Sequence, residues 1–358
     1  MIKDLIDLAT VMFSMRRWNN RPTFESISEA SNSGFILHVA HLMGMIEISN
    51  GKKVDMSKVI TRIILKDMPK CIISDISLST KRMIQTLSPS AWNRMYKSSI
   101  DEVLKNVPDE FKAQFEDAMI NSRDESIEGK IVNAADLYAA FKEAETNVRF
   151  FPEYFKEPFE SIKKAMQQID LKSFHKILED EKLKNYLTQI AALMYAVRWN
   201  QHPRTVPTTV AGHTFFVTFT SYLIALEMQK IDMVNVLERS IFHDVPEALT
   251  GDIISPTKRR VEGFETVVEE VESKMVNEIL LPLLPTEIAR YYSPLMLKPF
   301  DGGMEGKIAR ASDLMGSLVE CKMEIVNGMQ TDFFRRSYES IKQQIKSMNL
   351  EVVNQMIV

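Results

Sequence analysis

The stretch Ile241-Phe242-His243-Asp244-Val245-Pro246-Glu247-Ala248-Leu249-Thr250-Gly251-Asp252 places one imidazole and three carboxylates beside a turn, directly after an apolar run. A His-Asp doublet by itself is ordinarily a helix cap or a core polar pair. It becomes chemistry when the rest of the chain supplies further ligands, and His213 and Asp313 do so. The four residues His213, His243, Asp244 and Asp313 are therefore the candidate metal ligands. Two imidazoles and two carboxylates suit Mn²⁺, Fe²⁺, Co²⁺ or Zn²⁺ better than Mg²⁺, which prefers oxygen. Two carboxylates against one divalent ion leave about zero local charge. A phosphate dianion is then acceptable if a cation such as Arg198 stands near, and a metal-bound water of lowered pKa is the nucleophile. Glu247, four residues after His243, is placed to orient water or pass a proton, although Pro246 bends the chain between them.

These ligands must be carried by helices. Leu187, Ile190, Ala191, Met194 and Val197 keep helical spacing, which predicts a helix ending near Arg198. Phe215 to Leu226 is largely apolar, broken only by Thr and Ser, and predicts a buried central helix, with His213 just ahead of it. Val234 to Phe242 leads into the doublet, Phe264 to Leu281 alternates acids and apolars at helical spacing, and Ile308 to Val326 carries Asp313. Prolines 282, 285, 294 and 299 mark connections. No stretch alternates with a period of two, so the expected fold class is all-α.

The chain is written twice. Arg17-Trp18-Asn19 is repeated as Arg198-Trp199-Asn200, 181 positions later. Lys66-Asp67-Met68-Pro69 answers His243-Asp244-Val245-Pro246 at an offset of 177, and so does Glu128-Gly129-Lys130-Ile131 with Asp136 against Glu305-Gly306-Lys307-Ile308 with Asp313. Glu160-Ser161-Ile162-Lys163 answers Glu339-Ser340-Ile341-Lys342 at 179. Matches that keep both order and offset indicate a duplicated domain. We expect one copy over residues 1–178 and the other over 179–358, joined near the charged stretch 176–183.

The composition limits the function classes. Lys+Arg 44 against Asp+Glu 48 gives a net charge of −4, which argues against a nucleic-acid binder working by bulk charge. Two cysteines, Cys71 and Cys321, make neither a disulfide framework nor a cysteine zinc site. The start lacks a basic signal-peptide region, and no apolar run reaches the length of about 18 residues that a membrane helix needs. The expectation is a cytoplasmic protein without a membrane span.

Taken together, Arg198-Trp199, His213, His243-Asp244, Glu247, Thr250-Gly251-Asp252 and Asp313 resemble the HD-domain phosphohydrolases, and within them the bacterial 5'-deoxynucleotidases. The resemblance covers roughly residues 184–345, and in weaker form 3–165. It implies two tandem HD-type helical domains and one divalent metal ion on His213, His243, Asp244 and Asp313. Glu247 would be the acid/base group, and Arg198 would hold the phosphate. Trp199 would wall off the sugar C2' and exclude a 2'-hydroxyl. Asp252 would contact the sugar or brace the site, with a part in catalysis. Lys258, which recurs as Lys81, stands as a phosphate ligand or a structural partner. The implied substrate is a deoxyribonucleoside 5'-monophosphate. A deoxynucleoside triphosphate hydrolase is the rival enzyme, with Lys258, Arg259 and Arg260 as added cations. A non-catalytic nucleotide-binding scaffold is the rival from another class. The resemblance also implies pairing, as a homodimer or as a dimer-like pair of repeats within one chain.

Mapped onto the first copy, the site reads Arg17, Trp18, Asn32, Lys66, Asp67, Lys70, Asp75 and Asp136. Both ligand histidines are gone and Lys70 replaces Glu247, so no activity is expected there. The Lys66 ammonium is expected between Asp67 and Asp136 in place of the metal charge. His38 and His41 fall on one helix face away from the ligand positions, which predicts packing or a surface role.

Overall fold

The computed structural model describes residues 2–258, 260–301, 303–329 and 331–356. It is all-α: among the described residues the β pairing is confined to two isolated antiparallel bridges, Arg16 with Ser28 and Val197 with Thr209. The chain divides into two compact units. One comprises Met1–Glu29 and Val39–Phe174, and the other Ala30–His38 and His175–Val358.

In the first unit the helices that build a site are α1 (Glu29–Ser49, shared with the second unit), α2 (Met56–Leu65), α3 (Lys70–Ile73) and α4 (Ile127–Phe150). Asp55 caps α2 by accepting from the Lys58 N–H, and Ser126 caps α4 by accepting from the Gly129 N–H. His38 and His41 are both buried within α1, so their role is packing and not surface.

In the second unit the corresponding helices are α5 (Glu181–Ala191), α6 (Val210–Leu226), α7 (Met233–Phe242), α8 (Glu247–Thr250), α9 (Phe264–Met275), α10 (Gly303–Val326) and α11 (Asp332–Ser347). Thr209 caps α6 through the Gly212 N–H, and Asp232 caps α7 through the Asn235 N–H. Every residue of α6 from Val210 to Ala225 is buried, in keeping with a composition that is largely apolar and broken only by His213, threonines and a serine. Helix α10 packs on α6, α7 and α11. Its buried Gly306, Ala309, Ala311, Ser312 and Gly316 let the helices approach closely.

One helix differs from expectation. The apolar spacing that predicts a helix to Arg198 is helical only to Ala191, followed by a single tight turn, Ala192–Met194. Val197 then pairs with Thr209 in extended backbone. Leu187, Ile190 and Ala191 in the helix and Met194 in the tight turn are all buried, so their periodicity does not fix where the helix stops. The offset change between repeats also has a structural source. Helix α1 has 21 residues and α6 has 17, while the bridges before them and the aspartate caps after them correspond.

Candidate active site

The four candidate ligands arrive on α6 (His213), the end of α7 (His243 and Asp244) and α10 (Asp313). His213, His243 and Asp244 each offer a ligand atom, and these atoms lie within 4.8 Å of one another. Asp313 joins through His213, whose Nε2 is 3.1 Å from Asp313 Oδ1. The His243 ring is oriented from behind: its Nδ1 lies 2.8 Å from the Ser240 carbonyl and donates to it. That fixes the tautomer and leaves the Nε2 lone pair free. His243 Nε2 is buried and makes no hydrogen bond, although Asp244 Oδ2 stands 3.2 Å away at an unsuitable angle. A buried ring nitrogen without a hydrogen bond, beside a carboxylate and a second imidazole, is a donor set that fits a divalent metal.

His213 carries the second device of this kind. Its Nδ1 is 3.0 Å from Glu320 Oε1. Burial and Arg198 push the imidazole pKa down, but Asp313 and Glu320 outweigh them and raise it to about 9. Without metal, this shift favours the imidazolium form of His213, set between two carboxylates. Burial pushes Glu320 up, while Arg198 and His213 hold it well below the ordinary carboxylate range. The same Glu320 accepts the Trp199 indole N–H at 2.6 Å and the Arg198 Nε–H at 3.3 Å. One fully buried carboxylate thus orients a ligand, the phosphate candidate and the aromatic wall together.

Arg198 and Trp199 sit in a loop held rigidly. Trp199 has φ of +58°, a left-handed conformation that non-glycine residues adopt only when their surroundings impose it. Asp252 imposes it in part by accepting the Trp199 backbone N–H at 2.8 Å. Asp252 thus braces the loop. Arg204 pins the loop from below, donating to Glu324 at 2.7 Å and to the Arg198 carbonyl at 3.1 Å. Glu324 also accepts from the Thr205 N–H at 2.7 Å. Arg198 donates further to Asp244 at 3.2 Å and to Ser317 Oγ at 3.1 Å. A guanidinium has five N–H groups, so two remain for a phosphate oxygen.

Glu247 opens α8 beyond the Pro246 bend, and its Oε2 is buried without a hydrogen-bond partner. Burial, with Asp244 and Asp252 adding to it, raises its pKa well above the ordinary carboxylate value. That shift favours its protonated form. Lys258 is tied to Glu272 of α9 at 3.0 Å and is partly exposed. Arg259 lies outside the described residues.

Arg198, Trp199, His243, Asp244, Glu247, Asp252, Lys258, Asp313 and Ser317 line one cavity of about 1490 Å³ in the second unit, together with Phe300, Arg310 and Phe333. Arg310 bonds Asp313 Oδ2 at 2.7 Å. Residues not foreseen from the second copy alone are Glu320, Ser317, Glu324 and Arg310. The repeat carried a signal for the first: Glu143 stands seven residues after Asp136 as Glu320 does after Asp313. Gly316 was silent as well. A Cβ there would lie 2.7 Å from His213 Cε1, so only glycine leaves room for that ring.

The family profile described as 5'-deoxynucleotidase YfbR-like matches residues 5–180 and again residues 185–357. The chain is 22% identical over 152 residues to a 5'-deoxynucleotidase of Vibrio parahaemolyticus, a match spanning 41% of this chain and 78% of that protein. A 5'-deoxynucleotidase of Pasteurella multocida is 24% identical over 156 residues, spanning 42% and 78%. Among solved structures, an HD-domain phosphohydrolase of Listeria innocua superposes with a TM-score of 0.44 at 16% identity, covering 50% of this chain and 87% of its own.

Proposed function

The chain belongs to the YfbR-like 5'-deoxynucleotidase family, in two tandem HD-type copies, and from that membership we propose that its second copy hydrolyses the 5'-phosphate ester of deoxyribonucleoside monophosphates. The observation that carries this reading is the convergence of His213, His243 and Asp244 within 4.8 Å, with His243 and Asp244 at the wall of a cavity that Arg198 and Trp199 also line.

The metal would be held by His213, His243, Asp244 and Asp313, and when bound it would supply an activated water and charge stabilisation at phosphorus. The chain's own residues do the rest. Arg198, kept cationic by Glu320 and Asp244 against the downward push of burial, offers its two unused N–H groups to the phosphate. Glu247, a buried carboxyl group whose pKa is raised by burial, Asp244 and Asp252, would protonate the departing 5'-oxygen so that it leaves as an alcohol. Trp199 cannot swing away, because its indole N–H is bonded to Glu320 and its backbone to Asp252. A closed aromatic wall of this kind rejects the added volume of a 2'-hydroxyl.

Of the three consecutive cations that would serve a triphosphate, Lys258 lines the cavity and is neutralised by Glu272. That favours the monophosphate. The test is a panel of ribose and deoxyribose mono- and triphosphates with Mn²⁺ or Co²⁺, with products identified. Orthophosphate from deoxy monophosphates alone is expected. Inorganic triphosphate as product would replace this reading with the triphosphohydrolase, and no turnover with any metal would leave a binding scaffold. Trp199→Ala is expected to raise the ribonucleotide rate relative to the deoxyribonucleotide rate. Equal slowing of both would make Trp199 purely structural.

A further inference from the structure

The first unit keeps the framework of the second without its ligands. Arg17 donates to Glu143 at 2.9 Å and Trp18 donates to Glu143 at 2.7 Å, as Arg198 and Trp199 do to Glu320. Trp18 has φ of +53°, matching Trp199. Where His243, Asp244 and Asp313 stand in the second unit, Lys66, Asp67 and Asp136 stand in the first. These residues do not fit a divalent metal, since an ammonium has no lone pair to donate.

We propose that the first unit supplies its own cation: the Lys66 ammonium holds Asp67 and Asp136 together as a metal would hold Asp244 and Asp313, and this unit neither needs nor admits a divalent ion. The carboxylate oxygens are all taken. Lys66 Nζ contacts Asp67 Oδ2 closely and lies 3.1 Å from Asp136 Oδ1, with its side chain only 4% exposed. Lys70, which stands where Glu247 stands in the second unit, covers Asp67 Oδ1 at 3.2 Å and also bonds Glu29 at 3.2 Å and Asp75 at 3.3 Å. Arg123 closes on Asp136 Oδ2 at 2.7 Å. A metal ion would have to displace Lys66 from both carboxylates and leave an ammonium buried without acceptors, which costs far more than the displacement returns. The same contacts remove the acid/base group, because Lys70 is fully engaged as a cation.

The test uses the full chain with His243→Ala, which removes a ligand from the second unit. Bound metal is counted by elemental analysis after dialysis against Mn²⁺, and melting temperature is followed with and without Mn²⁺. The His243→Ala chain is expected to hold no Mn²⁺ at the first unit and to melt at the same temperature with or without it. Adding Lys66→His is expected to bring in one Mn²⁺ per chain and a melting temperature that rises with Mn²⁺. Lys66→Met, which removes the charge at similar length, is expected to lower the melting temperature. Mn²⁺ bound by the His243→Ala chain and lost on Asp67→Asn would overturn the proposal, as would an unchanged melting temperature in Lys66→Met. Should Lys66→His not fold, these two measurements decide it without that variant. Failure of the deoxynucleotidase reading would show in turnover alone and would leave these readouts untouched.

Discussion

At the residue scale the decisive group is one that composition and motif spacing pass over. Glu320 is fully buried and meets His213, Arg198 and Trp199 at once. Carboxylates that orient a metal-bound histidine typically contribute about 10–100-fold in metal affinity. Glu320→Gln is therefore expected to weaken Mn²⁺ binding by about that factor while the chain stays folded, as read by competition with a chelator. Unchanged affinity would reduce Glu320 to a packing residue. His213 yields a pH prediction. Its pKa is raised to about 9 in the metal-free protein. That stabilisation is present below the unfolded histidine value and is lost as pH rises through about 9. Metal must displace the same proton, so Mn²⁺ affinity should rise by about tenfold per pH unit up to that point and then level off. Calorimetry in buffers of different ionisation heat should report about one proton released per metal bound below pH 9.

At the scale of elements the site depends on α10 as a ruler. Asp313, Ser317, Glu320 and Glu324 follow at steps of four, three and four residues, which keeps them on one helix face. One stripe thus carries a ligand, an Arg198 acceptor, the triple acceptor and the loop anchor. Gly316 beside them makes room for His213. Gly316→Ala is expected to displace the ring and abolish metal binding with little loss of helix content, measured by metal titration and circular dichroism. Retained metal binding would show that α6 and α10 can part by the few tenths of an ångström needed. Most of the helices and the residues His213, His243 and Asp244 that cluster were legible in sequence, because apolar periodicity and ligand chemistry are local signals. The loop of Arg198 and Trp199 was not legible, since its shape is set by Arg204, Glu324 and Asp252 across 50 to 120 intervening residues. Asp252 illustrates the limit: a carboxylate after Gly251 suggested sugar contact, catalysis or a brace for the site, and the backbone N–H of Trp199 that it accepts lies 53 residues away in sequence.

At the scale of the whole molecule the duplication separates what the fold requires from what the chemistry requires. Both copies keep Arg-Trp, the left-handed tryptophan and the buried glutamate on the long helix. The second copy has the two imidazoles and Glu247, and the first has Asn32, Lys66 and Lys70 in their places. His243→Ala is accordingly expected to abolish phosphate release from the whole chain, with no residual rate from residues 1–174. Residual metal-dependent release would assign activity to the first unit. The register of the repeats has its own lesson. Helix α1 exceeds α6 by four residues, 21 against 17, and an α-helix turns once in about 3.6. A gain or loss of one turn returns the chain to nearly the same angular phase, whereas a change of one or two residues would have rotated everything downstream out of its packing. The copies have thus drifted apart in length by a whole screw turn, and the helical pitch acted as the unit in which that drift could be tolerated.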